Sequence, residues 1–267
     1  EMYLFKENCE YIFPHKYFGH TGPEFSNDDF KLNYKFYFID YDSIPEIYTK
    51  KYDVVTNLHI KDKDRYKDFL KYNKKYLLEA DKFYYVSYQE YDINSNYIPE
   101  NNYPFSKKEV IDYIKDYVKS YRWGWYYQQL LKLYIFRINV INKDNVLICD
   151  SDLLFLKNIS FFESGKPKLF KRNTDANEGK IHDTYLKAIN YLVPEIEVET
   201  DNSGICHFML FNKDKIEELL SIIENKFNKP AWQAILDSVI DYINKYGYEE
   251  SLFSEYELYY SFIKDKD

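Results

Sequence analysis

Asn145-Val146-Leu147-Ile148-Cys149-Asp150-Ser151-Asp152 is the stretch on which the fold turns. Four consecutive apolar residues, two of them β-branched, predict a short strand buried on both faces, as in a parallel sheet. Asp150 then falls at the carboxyl end of that strand, where open α/β sheets bind their ligands. A second apolar run, Leu153-Leu154-Phe155-Leu156, follows directly. Two carboxylates enclosed by apolar sequence are costly unless they are paired or hold a cation. Asp150 and Asp152 sit one residue apart on an extended turn, so they can point to one side and share a divalent ion. Such an ion bridges the two phosphates of a nucleotide diphosphate and stabilises it as a leaving group.

Asp-x-Asp is common in a chain this acidic. Asp62-Lys63-Asp64 and Asp265-Lys266-Asp267 lie in charged segments and read as solvated surface, whereas Asp40-Tyr41-Asp42 follows a strand-like run at 34–39 and is a rival. Upstream of Asp150, residues 53–60 read as a first buried strand, 63–79 carry apolar residues at helical spacing, and 82–88 read as a second strand. Strand, helix and strand in so short a span are the βαβ unit of a parallel sheet. Ser106-x-x-Glu109 is a capping box opening a helix, and 125–137 predict another. Downstream, 205–211 read as a strand, 216–227 and 232–246 as amphipathic helices, and 254–263 as a short final helix. The expected architecture is α/β with a mixed, mostly parallel sheet flanked by helices. Residues 52–267 form its domain, and 1–51 an irregular aromatic extension.

The 267 residues suffice for one large α/β domain, and a 45% hydrophobic fraction supports a core. A formal charge of −8 argues against nucleic acid as a partner. No run approaches a membrane span, and no signal-peptide pattern is present. The chain opens at Glu1 rather than methionine, which leaves a preceding segment open. Three scattered cysteines, Cys9, Cys149 and Cys206, make neither a disulfide framework nor a zinc site, so a reducing, cytoplasmic compartment is expected.

The run from Val146 to Asp152 resembles the strand and Asp-x-Asp of glycosyltransferases of the GT-A fold. Gly124-Trp125-Tyr126-Tyr127-Gln128-Gln129-Leu130-Leu131-Lys132-Leu133 is similar to a segment of a group of bacterial and viral glycosyltransferase-like proteins. That group also shares Gly204-Ile205-Cys206-His207-Phe208-Met209-Leu210-Phe211 and Ser254-Glu255-Tyr256-Glu257, in the same order. The resemblance implies a metal-dependent transferase, virus-encoded or bacterial, that uses Mn²⁺ or Mg²⁺ and a nucleotide-sugar donor, UDP-sugar by default. The acceptor would be a glycan, a protein or a small molecule.

On that resemblance Asp150 and Asp152 hold metal and donor with Ser151 between them, and His207 completes the metal shell. Thr56, Asn57 and Tyr88 fall at the ends of the first two strands, where the nucleoside binds; Thr56-Asn57-Leu58-His59 departs from the usual first-strand ending and leaves the base open. Trp125, Gln128, Gln129 and Lys132 recur at i, i+3, i+4 and i+7 and share one helical face. Lys132 there suits a phosphate and the glutamines suit sugar hydroxyls; the plain alternative is a solvated stripe. His182, Asp183, Asn202 and Ser203 are expected at the acceptor. Glu255 opens the last helix, where an inverting transferase keeps a general base, although a first-turn carboxylate also suits the helix dipole. Glu257 has a capping-box explanation with Ser254. Two competitors stand beside this expectation. A metal-dependent nucleotidyltransferase would want a third acid and a glycine-rich loop, and the chain has only seven glycines. A catalytically inactive carbohydrate-binding domain of the same fold would bind donor without turnover.

Overall fold

Tyr52–Asn57 (β1) is buried along its whole length, because both of its edges and both of its faces are covered. The computed structural model describes residues 2–5, 12–15, 50–173, 183–198, 201–264 and 266. In it β1 pairs in parallel with Ala80–Ser87 (β2) on one side and Asn145–Cys149 (β4) on the other. Asn96–Pro99 (β3) adds in parallel beyond β2, and Phe208–Asn212 (β5) adds antiparallel beyond β4. The order is therefore β5-β4-β1-β2-β3. The chain builds outward from β1 to β3 and then returns to the opposite side of β1 to lay down β4. That reversal opens a crevice at the carboxyl ends of β1 and β4, between Asn57 and Asp150.

The helices are Lys63–Tyr76 (α1), Lys107–Ile114 (α2), Ser120–Leu133 (α3), Asp183–Leu192 (α4), Lys213–Phe227 (α5), Ala231–Tyr246 (α6) and Glu255–Ile263 (α7). Strand alternation divides the core into two layers. Val54, Leu147 and Leu210 meet Tyr66, Phe69 and Leu70 of α1 together with Phe155 and Phe161. Val55, Ile148 and Met209 face the other way, against α3, α5, α6 and α7. The architecture is thus the expected α/β one, with a mixed, mostly parallel sheet flanked by helices and compatible with a Rossmann-like fold. No helix among the described residues is long and apolar enough to cross a membrane.

Several boundaries differ from expectation for local physical reasons. β1 stops at Asn57 rather than running on, because His59 turns out and its Nδ1 accepts from Lys61 N (3.2 Å), capping the 3₁₀ turn Ile60–Asp62. α3 starts at Ser120, five residues before the expected start, and gives way after Leu133 to the 3₁₀ turn Ile135–Ile138, closed by left-handed Asn139 (φ 57°). β5 begins only at Phe208, since His207 also adopts a left-handed backbone (φ 61°). β3 and α4 were not foreseen. The former is four residues ending in proline, and the latter occupies a stretch to which no element was assigned. Met2–Phe5 and Ile12–His15 pair antiparallel. The run at 34–39, the rival Asp40-Tyr41-Asp42 and His182 lie outside the described residues.

Candidate functional site

Three elements converge on Asp150. α3 brings Gln129 and Lys132, one turn apart and both buried. The face shared by Trp125, Gln128, Gln129 and Lys132 is therefore no solvated stripe: it packs inward, with Trp125 and Gln128 half-buried toward the helix start. The turn before β5 brings His207. α7 brings Glu255 and Tyr256, and it is buried on every side: all its residues from Glu255 to Phe262 are buried. Two glutamates in such a helix are the exception that marks it, because glutamates are almost never fully buried unless paired.

The contacts form a closed network. Lys132 Nζ donates to Asp150 Oδ1 (2.7 Å), Glu255 Oε1 (2.7 Å) and Tyr256 Oη (3.2 Å). Tyr256 Oη donates to Asp150 Oδ1 (3.2 Å), and Lys132 Nζ stands 4.4 Å from the centre of the Tyr256 ring. His207 Nδ1 lies 2.9 Å from Asp150 Oδ2, while Asp150 N donates to the His207 carbonyl (3.0 Å). The unusual backbone of His207 is what turns its ring onto Asp150 instead of along the strand. Gln129 Oε1 accepts from Glu255 N (3.0 Å), fixing the first turn of α7. Asn57 Nδ2 donates to the Gln128 carbonyl (2.9 Å) and ties the end of β1 to α3.

Electrostatics follow from this packing. Burial alone would raise the Asp150 pKa, but the Lys132 ammonium and the His207 contact reverse that and hold it well below the usual carboxylate range. Burial alone would likewise lower the Lys132 pKa, yet Asp150 and then Glu255 hold it above the ordinary lysine value. Asp152 behaves oppositely. It is half-buried, and burial first, then the charge of Asp150, push its pKa up. Among the described residues Asp152 forms no ion pair, and no group of three or more His, Cys, Asp or Glu is arranged to hold a metal.

Glu257 does not complete the expected capping box. Ser254 Oγ accepts from Glu257 N (3.3 Å), but the Glu257 carboxylate turns to Ser203 Oγ (2.6 Å) and Gly204 N (3.1 Å). A buried tertiary partner has displaced the local one. Contrast Ser106 and Glu109 on the surface, where both halves of the box form.

The structure thus brings together Asp150, Asp152, His207, Gln129, Lys132 and Glu255, and adds Tyr256, which nothing in so tyrosine-rich a sequence singled out. Ser151 is half-buried beside them. Asn57 borders the crevice, and Thr56 is fully buried in the sheet with no hydrogen-bond partner at Oγ1. Tyr88 follows β2 and is 84% exposed, a large aromatic held out at the carboxyl rim. Trp125 stacks under Arg122 (4.0 Å), some two turns back along α3 from Lys132. Asn202–Ser203, expected at the acceptor, is a two-residue strand paired with Arg172–Asn173. Ser203 is occupied by Glu257, and Asp183 opens α4.

The fold and site define an α/β protein with an acidic crevice centre at a sheet switch point. Residues 80–267 match a family described as a family of unknown function (DUF6492), and the chain belongs to that family. The matched region holds every residue of the Asp150 network but not β1. No curated protein matches the chain.

Proposed function

We propose that this protein is a glycosyltransferase of the GT-A type. It would move a sugar from a nucleotide-diphosphate donor, UDP-sugar by default, to a hydroxyl of a glycan, protein or small-molecule acceptor, with Mn²⁺ or Mg²⁺ assisting. The observation that carries the proposal is Asp150 locked at the β1–β4 crevice by Lys132, Tyr256 and His207, with the half-buried Asp152 beside it and without an ion-pair partner among the described residues.

The residues fit a divalent ion, with one change of role. Both oxygens of Asp150 are already engaged, so Asp150 serves as the orienting carboxylate. A histidine that gives its Nδ1–H to a carboxylate keeps the lone pair on Nε2, the arrangement metal-binding histidines commonly use. Asp152 and His207 are then the protein ligands, a small set of the kind that leaves room for water and phosphate oxygens. When bound, the ion would supply charge stabilisation to the departing diphosphate. Asn57 and the projecting Tyr88 suit the nucleoside, the half-buried Gln128 suits a sugar hydroxyl, and Gln129, 1% exposed, holds the first turn of α7 in place. In the reaction the acceptor oxygen bonds to the anomeric carbon, the bond from that carbon to the diphosphate oxygen breaks, its electron pair leaves with the diphosphate, and the acceptor proton passes to solvent. Glu255 is 3% exposed and faces Lys132, so the proposal gives it a positioning role rather than that of a base in contact with acceptor.

The test is release of nucleotide from a panel of UDP- and GDP-sugars, with water as acceptor, in Mn²⁺ or EDTA. One donor should turn over, metal-dependently, with Asp152→Ala reducing the rate by about 100-fold or more. Turnover unaffected by EDTA or by the substitution would sink the proposal. Donor binding without turnover, indifferent to metal, would identify an inactive carbohydrate-binding domain instead.

A further inference from the structure

We infer that Arg172, rather than Lys132, is the side chain that binds the diphosphate of the donor; this rests on the nucleotide-sugar proposal above. An ammonium has three N–H donors. Those of Lys132 are matched by three acceptors, Asp150 Oδ1, Glu255 Oε1 and Tyr256 Oη, so none remains for a phosphate. A diphosphate still needs a cation from the protein or its metal, and Arg172 is the cation placed to supply it.

Arg172 Nε is buried and has no hydrogen-bond partner, and no described carboxylate forms an ion pair with the guanidinium. That is anomalous in a chain with 44 acidic against 36 basic residues. A buried, unmatched guanidinium N–H is costly unless something arrives to accept from it. Its position is the second observation. Arg172 pairs with Ser203 in the short ladder that begins the segment leading through Cys206 to His207. Arg172 therefore lies beside the segment 203–207, whose Ser203 holds Glu257 of α7 and whose His207 holds Asp150. The fork of a guanidinium matches two phosphate oxygens at once, whereas a lysine offers only a point charge.

Titration calorimetry with UDP, pyrophosphate and uridine, in Mn²⁺, decides the matter across wild type, Arg172→Met, Arg172→Lys and Lys171→Met. The Lys171 variant removes the same charge one residue away and controls for long-range electrostatics. Arg172→Met should weaken UDP and pyrophosphate by about 10- to 100-fold and leave uridine unchanged. Lys171→Met should stay within about 3-fold for all three. Arg172→Lys, which keeps the charge but not the fork, should fall between, and it carries the test if the methionine variant fails to fold. Equal losses from Arg172→Met and Lys171→Met, or equal losses for UDP and uridine, overturn the inference while leaving nucleotide binding intact. A wild type that binds none of the three takes the nucleotide-sugar proposal down with it.

Discussion

Replacing Lys132 by methionine is expected to destabilise the fold by about 3–5 kcal/mol, the usual consequence of breaking a buried ion pair from one side. The substitution keeps the length and apolar stem of the side chain but leaves Asp150 and Glu255 facing each other without a counter-ion. Asp150→Asn and Glu255→Gln in the same background should recover much of the loss, because the repulsion and the desolvated charges vanish together. The pH dependence has a definite sign. Asp150 has a folded pKa below its unfolded value, so its contribution is present above the ordinary carboxylate pKa of about 4 and is lost as pH falls below it. Without Lys132, burial would instead favour protonated Asp150. The difference in Tm between wild type and Lys132→Met should therefore be largest near neutrality and narrow in acid. A difference that does not change with pH would mean that the network is not electrostatic in origin.

Gly204→Ala is expected to disrupt the site by pure volume. A Cβ built at Gly204 would lie 2.2 Å from Tyr260 Cβ, 2.7 Å from Tyr260 Cγ and 2.9 Å from the Tyr256 carbonyl. None of these is the free end of a flexible side chain, so α7 itself must move. Overpacking of this kind costs about 1–3 kcal/mol or more. Here it also displaces the helix that carries Glu255 and Tyr256, and it strains the bond from Gly204 N to Glu257. Nucleotide affinity should fall along with Tm. Gly124→Ala is the internal contrast. It lies mid-helix with nothing within 4 Å of the added carbon, and should stabilise by about 0.5–1 kcal/mol. Calorimetric unfolding of the two variants should thus give shifts of opposite sign; a Gly204→Ala protein with wild-type Tm would refute the tight docking of α7.

The sheet was legible where apolar runs end abruptly. The burial of 146–149 and the polar break at Asp150 placed the acidic pair at a strand end, and β1, α1 and β2 declared themselves by periodicity. What the residues did not disclose depends on distant partners. Lys132 and Gln129 look like a hydrophilic stripe because local sequence cannot show that α7, more than 120 residues later, closes over them. Glu257 satisfies a local capping rule on paper, yet the buried Ser203 and Gly204 N–H claim its carboxylate. The start of β5 was misplaced because a left-handed histidine carries no mark in sequence, and the contact that its backbone allows is with Asp150, fifty-seven positions earlier. Arg172 was passed over for the same reason: only the surroundings show that it has no carboxylate partner among the described residues.

Thermal unfolding with UDP in Mn²⁺ against UDP in EDTA, for wild type and Asp152→Asn, tests the central claim most directly. A nucleotide diphosphate held through a cation on Asp152 and His207 stabilises only the folded state. Wild type should gain several degrees in Tm with UDP and Mn²⁺ together and little with either alone, and Asp152→Asn should lose that synergy. Equal stabilisation in EDTA, or none in wild type under any condition, would contradict a metal-assisted nucleotide site at Asp150-Ser151-Asp152.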